Sequence, residues 1–316
     1  MGTLKSNMGS EITKPKVIII CGPTGIGKTS IGIRLAEKLG GEIISADSMQ
    51  IYRNMDIGTA KPTADEQDRV FHHLIDIVDP DEDFDAVRFA EIARQKVAQL
   101  HQRGLVPFVV GGTGLYIKAL LQGLFQSNPV DPEIRERLMK EAAEDGSSRL
   151  FEHLQQVDPD AADRLHPNDT YRIVRALETI ESTGRSISEH QQDHGFSDEP
   201  FHALKVCLQM DRQTLYDRID RRVDLMIEAG LVEEVQKLLG MGYGADLKSM
   251  QSIGYRHIID FLEGRLSWDE CVRTLKRDTR RYAKRQFTWF GADKNIIWQT
   301  PDEFNQIGDL VAAFLK

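Results

Sequence analysis

Between Lys16 and Thr29 the chain reads KVIIICGPTGIGKT, which ends in the residue types and spacing of a phosphate-binding loop. Glycines at 22, 25 and 27 let backbone N–H groups turn inward around a diphosphate, Lys28 adds a point charge, and Thr29 offers a hydroxyl to a Mg²⁺ ion. The loop comprises Gly22, Pro23, Thr24, Gly25, Ile26, Gly27, Lys28 and Thr29. A second apolar run, from Glu42 to Ala46, is followed by Asp47. A carboxylate there can take a proton from an acceptor nucleophile. The same Asp can instead cap a following helix. A third run, 106–110, ends in Gly111-Gly112-Thr113, where a nucleotide hydrolase would place a metal-binding or water-activating acid.

These groups need a scaffold that presents them on one edge. Val17 to Ile20 reads as a strand, and the apolar spacing of Ile31, Leu35 and Leu39 predicts a helix whose N-terminus points at the phosphates. Phe89, Ala93, Val97 and Leu100 predict an amphipathic helix over 85–103, closed by Gly104. Strands alternating with helices imply an α/β fold: a parallel sheet of the P-loop NTPase-like kind, flanked by helices, with ligands at the carboxyl ends of its strands. After Gly123 the pattern changes. Helical stretches broken at Gly146, Asp158-Pro159, His166-Pro167 and Gly184 predict a helical insertion. The expected organisation is a flexible N-terminus over 1–15, a catalytic core over 16–125 and 200–316, and an insertion domain over 126–199. Within the core, a strand is predicted over 203–210 and helices over about 213–239, 249–263 and 267–290.

At 316 residues, with 41% hydrophobic and 28% charged residues, the composition is that of a soluble globular protein. No apolar run approaches the roughly 20 residues of a membrane span, and the opening residues lack a signal-peptide pattern, so a cytoplasmic location is expected. Met1-Gly2 followed by Ser6 fits the loose myristoylation pattern, but no polybasic second signal accompanies it. The three cysteines, Cys21, Cys207 and Cys271, are far apart and read as reduced structural thiols. His72 and His73 have no partner at ligand spacing and read as structural. A net charge of −9 argues at first against nucleic acid. Yet residues 126–200 hold 17 acidic against 8 basic residues, while Arg273, Lys276, Arg277, Arg280, Arg281, Lys284 and Arg285 crowd into 13 positions. That run is either an RNA-binding face or a solvated face of an amphipathic helix. Tyr282, Phe287, Trp289 and Phe290 read as core anchors of the last helix.

GPTGIGKT (22–29), SADSMQIYRNMDIGTAKPT (45–63), HHLIDIVDP (72–80) and VGGTGLYIKALLQGL (110–124) resemble the successive signature blocks of the tRNA dimethylallyltransferases, also called tRNA isopentenyltransferases. DPEIR (131–135), LHPNDTYRIVRALE (165–178), LYDRIDRRVDLMIEAGLVEEV (215–235), QSIGYR (251–256) and YAKRQFTWF (282–290) extend the resemblance over nearly the whole chain. It implies transfer of a dimethylallyl group from its diphosphate to the exocyclic amine of the adenosine on the 3′ side of the anticodon of tRNA. By that resemblance Asp47 is the general base. Lys28 and Arg222 serve the diphosphate, the Thr24 hydroxyl helps hold the acceptor amine or the donor, and Thr29 holds Mg²⁺. The tRNA anticodon stem-loop meets Asp47, Ser48, Met49, Gln50, Thr113, Arg135, Tyr171, Arg172, Ile173, Val174, Arg175, Gln251, Ser252, Ile253, Gly254, Tyr255 and Arg256. Arg277, Arg280, Arg281 and Lys284 are added from the basic run. The stretch 171–175 also reads as a helix with Ile173 and Val174 in its core. Without the C-terminal zinc finger of eukaryotic relatives, the chain resembles the shorter bacterial form, and a monomer is expected. Rival readings are a small-molecule or nucleoside kinase holding ATP in the same loop, and a non-catalytic RNA-binding protein with a relict loop. Intact Lys28, Thr29 and Asp47 argue against decay.

Overall fold

The first strand of the chain, β1 (Lys16–Cys21), is buried along almost its whole length, with Val17, Ile18, Ile19 and Ile20 wholly excluded from solvent. A continuous apolar run of this kind marks a central strand of a parallel sheet covered on both faces. The structure, a computed structural model, describes residues 14–124, 132–194 and 198–316. After β1 come α1 (Lys28–Leu39), β2 (Gly41–Ser45), α2 (Ala64–Arg69), β3 (His72–His73), α3 (Ala86–Gln102), β4 (Val106–Gly111) and α4 (Gly114–Gln122). Five helices follow: α5 (Pro132–Asp145), α6 (Ser147–Val157), α7 (Pro159–Ala162), α8 (Thr170–Thr183) and α9 (Ile187–His194). The chain continues through β5 (His202–Leu208), α10 (Arg212–Glu228), α11 (Leu231–Gly240), α12 (Tyr255–Leu262), α13 (Trp268–Gly291), β6 (Ile297–Gln299) and α14 (Phe304–Leu315).

The sheet has the order β3-β2-β4-β1-β5-β6, with every neighbouring pair parallel. The fold is therefore the α/β parallel sheet that the motif order predicts. Ile18, Ile20, Ile43, Phe108 and Val206 from the strands meet Ile31 and Leu35 of α1, Leu215 and Ile219 of α10, and Ile307 and Val311 of α14 in one core. α1 can lie this close to the sheet because Gly32 has no side chain; a Cβ there would stand 2.8 Å from Val110.

The chain divides into two compact units, one running to Leu121 and resuming at Glu199–Lys316, the other spanning Gln122–Asp198. The second unit has its own core of Leu138, Leu150, Leu154, Ile173, Val174 and Leu177. Inside it, the buried Asp158 accepts from Ala161 N–H at 3.0 Å and from Ser188 N–H at 3.1 Å.

Several expectations need correction. Residues 213–239 form two helices, because Gly230 takes a φ of +100° that ends one and starts the next. The helix expected from 249 begins only at Tyr255, since Gly254 has a φ of +101°. α13 is not the last helix, for β6 and α14 follow it. Most of the N-terminal segment expected over 1–15, and the boundary at 127–131, lie outside the described residues. Lys14 and Pro15 are held, by Glu199 and by His202 N–H respectively. His72 and His73 do serve structure: they form β3, and His73 Nε2 lies 2.7 Å from Glu42. Among the described residues no helix is long and apolar enough to cross a membrane.

Candidate active site

The loop after β1 is shaped from beneath. Gly22 has a φ of +141° and runs so close to β5 that a Cβ would sit 2.9 Å from Leu208 O. Ile26 is wholly buried in the sheet-side core and pins the loop from inside, so only its backbone can serve a phosphate. Gly27, with a φ of +104°, then turns the chain into α1 without a side-chain cap, leaving N–H groups at the helix start for a ligand. Lys28 Nζ donates to Pro23 O at 2.8 Å. Burial lowers the Lys28 pKa to about 8, with Asp47 working against that shift and Arg222 adding to it. Burial also lowers the Arg222 pKa, again opposed by Asp47. Thr24, Lys28, Thr29, Asp47 and Arg222 thus line one polar cavity over the carboxyl ends of the strands.

Asp47 lies two residues past the end of β2, and its Oδ1 accepts from Met49 N–H at 2.9 Å. No helix follows it until α2; residues 48–54 are bends and turns around a bridge from Tyr52 to Val78, so the capping alternative gives way to an Asx-type turn that fixes the carboxylate. Ser48 N–H donates to Thr113 Oγ1 at 3.0 Å. The glycines around Thr113 now have a reason. A Cβ on Gly111 would stand 2.1 Å from Ala46 O, one on Gly112 2.3 Å from Gln286, and one on Gly114 2.1 Å from the Trp289 indole. The end of β4 is therefore clasped between the end of β2 and one face of α13. Gln286 ties that face to the phosphate loop: its Oε1 accepts from Thr24 N–H at 2.8 Å and its Nε2 donates to Gly112 O at 2.9 Å.

Sequence comparison bears on this arrangement. The model of the IPP transferase family matches residues 50–293. The chain belongs to the IPP transferase family. It is 54% identical over 305 residues to the tRNA dimethylallyltransferase of Desulfosudis oleivorans, covering 96% of this chain and 97% of that one. It is 51% identical to tRNA dimethylallyltransferase 2 of Syntrophus aciditrophicus, over 98% and 99% of the two chains. Among solved structures it is similar to the full-length tRNA isopentenylpyrophosphate transferase of Bacillus halodurans, with a TM-score of 0.71, 42% identity and coverage of 95% and 96%. A eukaryotic dimethylallyltransferase captured acting on tRNA is also similar, with a TM-score of 0.74, 30% identity and coverage of 91% of this chain and 75% of that one.

The remaining residues carried over from the family motifs fall into three classes. Gln50 lines the cavity, with Ser45 Oγ donating to its Oε1 at 3.0 Å and its Nε2 donating to Ala60 O at 3.2 Å. Met49 and Thr113 lie half-buried beside it. Other residues are turned inward and cannot meet RNA through their side chains. Tyr255 is wholly buried and donates to Glu234 Oε1 at 2.6 Å, and Gly254 is buried beside it. Ile173 and Val174 are buried in the core of the helical unit, as their alternative reading has it, because they face α5 and α6 there. The third class is exposed or partly exposed: Tyr171 and Arg172 on α8, and Gln251, Ser252, Ile253 and Arg256 before and on α12. Arg135 and Arg175 both pair with the buried Glu178, at 3.3 and 2.7 Å.

The basic run is more self-contained than its charge suggests. Arg280 pairs with Asp220 of α10 at 2.5 Å, Lys276 with Asp224 at 2.6 Å, and Arg277 with Asp278 at 2.9 Å. Arg281 is exposed beside Asp278, and Lys284 is exposed. Of the four aromatic residues read as core anchors, Phe290 is buried and Phe287 packs on the core, but Trp289 is 43% exposed and Tyr282 lines the cavity. Sequence reasoning missed Tyr282 and Gln286 as site residues. It also missed Glu234, whose carboxylate accepts from Asp56, Ile57 and Gly58 N–H at 2.8 to 3.0 Å and so holds the loop that brings Thr59 and Ala60 to the cavity. The available signal was a polar Gln286 four residues after Tyr282, on one face of a helix.

Proposed function

We propose that this IPP transferase moves the dimethylallyl group of dimethylallyl diphosphate onto the exocyclic amine of the adenosine 3′-adjacent to the anticodon of a tRNA. The observation that carries the reading is one cavity in which Asp47 faces Lys28 and Arg222 above a phosphate loop. The diphosphate lies on the loop N–H groups, with Lys28, Arg222 and the Thr24 hydroxyl around its leaving oxygens. As the amine nitrogen bonds to the allylic carbon, the carbon–oxygen bond breaks and the electron pair leaves with the diphosphate. Asp47 takes the proton that the amine sheds. The adenosine reaches this buried site by leaving the anticodon stack.

Mg²⁺ fits the site in a limited sense. Thr29 lines the cavity, and among the described residues no cluster of three His, Cys, Asp or Glu could hold an ion without the substrate. Thr29 would hold the ion together with diphosphate oxygens, where it would neutralise charge on the leaving group. Tyr171 and Arg172 of the helical unit, with Arg281 and Lys284 of α13, supply exposed groups for the anticodon stem-loop. A tRNA substrate supports a cytoplasmic location.

The test is mass analysis of anticodon-loop adenosines after incubating tRNA, dimethylallyl diphosphate and the protein. A gain of one dimethylallyl group on that adenosine, without ATP, supports the reading. Phosphoryl transfer from ATP to a small acceptor, with unmodified tRNA, would return the chain to the kinase class.

A further inference from the structure

Departure of diphosphate from an allylic carbon leaves positive charge on that carbon, while the cavity gathers cations for the diphosphate itself. Some wall of the site must face the carbon without repelling it. Among the described residues lining the cavity, Tyr282 is the one aromatic side chain. Its hydroxyl faces Thr113, whose Oγ1 accepts from Ser48 N–H at 3.0 Å, one residue from Asp47. The flanking Ala283 and Gln286 are buried, so the turn of α13 that carries the ring is held in place. The guanidinium of Arg285 lies 5.6 Å from the ring centroid, within the range at which a phenol ring attracts a cation. Burial, with Asp47 adding to it, raises the Tyr282 pKa far above the usual phenol range. The hydroxyl therefore stays neutral, and the oxygen does not compete with the amine as a nucleophile.

We propose that Tyr282 is a further catalytic residue of the transfer reaction, its ring being the π surface over which positive charge spreads from C1 to C3 of the dimethylallyl group. The assignment rests on the function proposed above. In the step, the carbon–oxygen bond breaks with its electron pair going to diphosphate, the amine nitrogen bonds to C1, and its proton goes to Asp47. Tyr282 exchanges no atom.

The experiment is single-turnover transfer at saturating dimethylallyl diphosphate and tRNA, beside donor titrations and melting curves. The variants are Tyr282→Phe, Tyr282→Leu, and Tyr282→Phe made with phenylalanines carrying one, two or three ring fluorines. Tyr282→Leu is expected to transfer about 10- to 30-fold more slowly than Tyr282→Phe, which keeps the ring. Donor affinity should be unchanged in both. Each added fluorine should lower the logarithm of the rate further, since it drains the ring face. Should Tyr282→Leu fail to fold, the fluorine series decides alone. A rate that ignores ring fluorination, a Leu variant as fast as Phe, or a Phe variant as slow as Leu would each overturn the assignment. A wild-type protein that transfers nothing would instead overturn the proposed function.

Discussion

Asp47 is held rather than loose: its Oδ1 accepts the Met49 N–H. Asn keeps the size and an oxygen acceptor for that turn, so Asp47→Asn separates basicity from local structure. It should lower single-turnover transfer about 100- to 10,000-fold, the usual worth of a general base, with donor and tRNA titrations and the melting curve nearly unchanged. Lys28 makes a pH prediction. With a folded-state pKa of about 8 against 10.5 for the free side chain, the unfolded chain binds the extra proton between those values. This group's contribution to stability therefore rises with pH across that window. Donor affinity should move the other way, because only charged Lys28 attracts diphosphate. Titrations of dimethylallyl diphosphate should weaken as pH rises through about 8, and Lys28→Met should bind weakly with that limb removed. An unshifted affinity between pH 7 and 9 would contradict the role of Lys28.

α13 joins two sets of contacts. One face places Tyr282 and Gln286 at the cavity; another carries the basic run, much of it paired with Asp220, Asp224 and Asp278. Arg281, 3.5 Å from Asp278, and Lys284 are among the exposed members that can meet phosphates. Replacing both with Gln should reduce the slope of log affinity for tRNA against log salt by about 0.7 to 0.9 per lost contact, with the fold intact. Arg280→Gln should act instead on stability, through Asp220. β1, the phosphate loop and α1 were legible in the sequence because their signals are local: an apolar run, glycines, then helical spacing. The link from Gln286 to Thr24 was not, for it joins residues 262 apart and only the folded chain brings them together. α14 carried a readable signal in the spacing of Phe304, Ile307, Val311 and Phe314, but the three-residue β6 before it did not. Tyr255 turns inward, and a motif match says nothing about which way a side chain turns.

On the scale of the molecule, two separate cores support different duties. The cavity is lined wholly by residues of the sheet-containing unit, whereas Leu177 lies in the core of the helical one. Leu177→Ala should cost about 2 to 5 kcal/mol in that unit. Urea titration should show the loss, while donor affinity stays at the wild-type value. Weakened donor binding would mean that the two units are not energetically separable. The burial of all three thiols has a practical consequence. The hydrogen bond with Cys21, then burial, raises the pKa of Cys207, and burial raises that of Cys271 to about 11. Thiolate is the reactive form, so a native sample should show no fast reaction with a thiol reagent and three equivalents in denaturant. The wild-type protein is then its own unlabelled background. Tyr171→Cys, at a position 67% exposed on α8, would accept a single fluorophore and turn the docking of an anticodon loop into an optical signal.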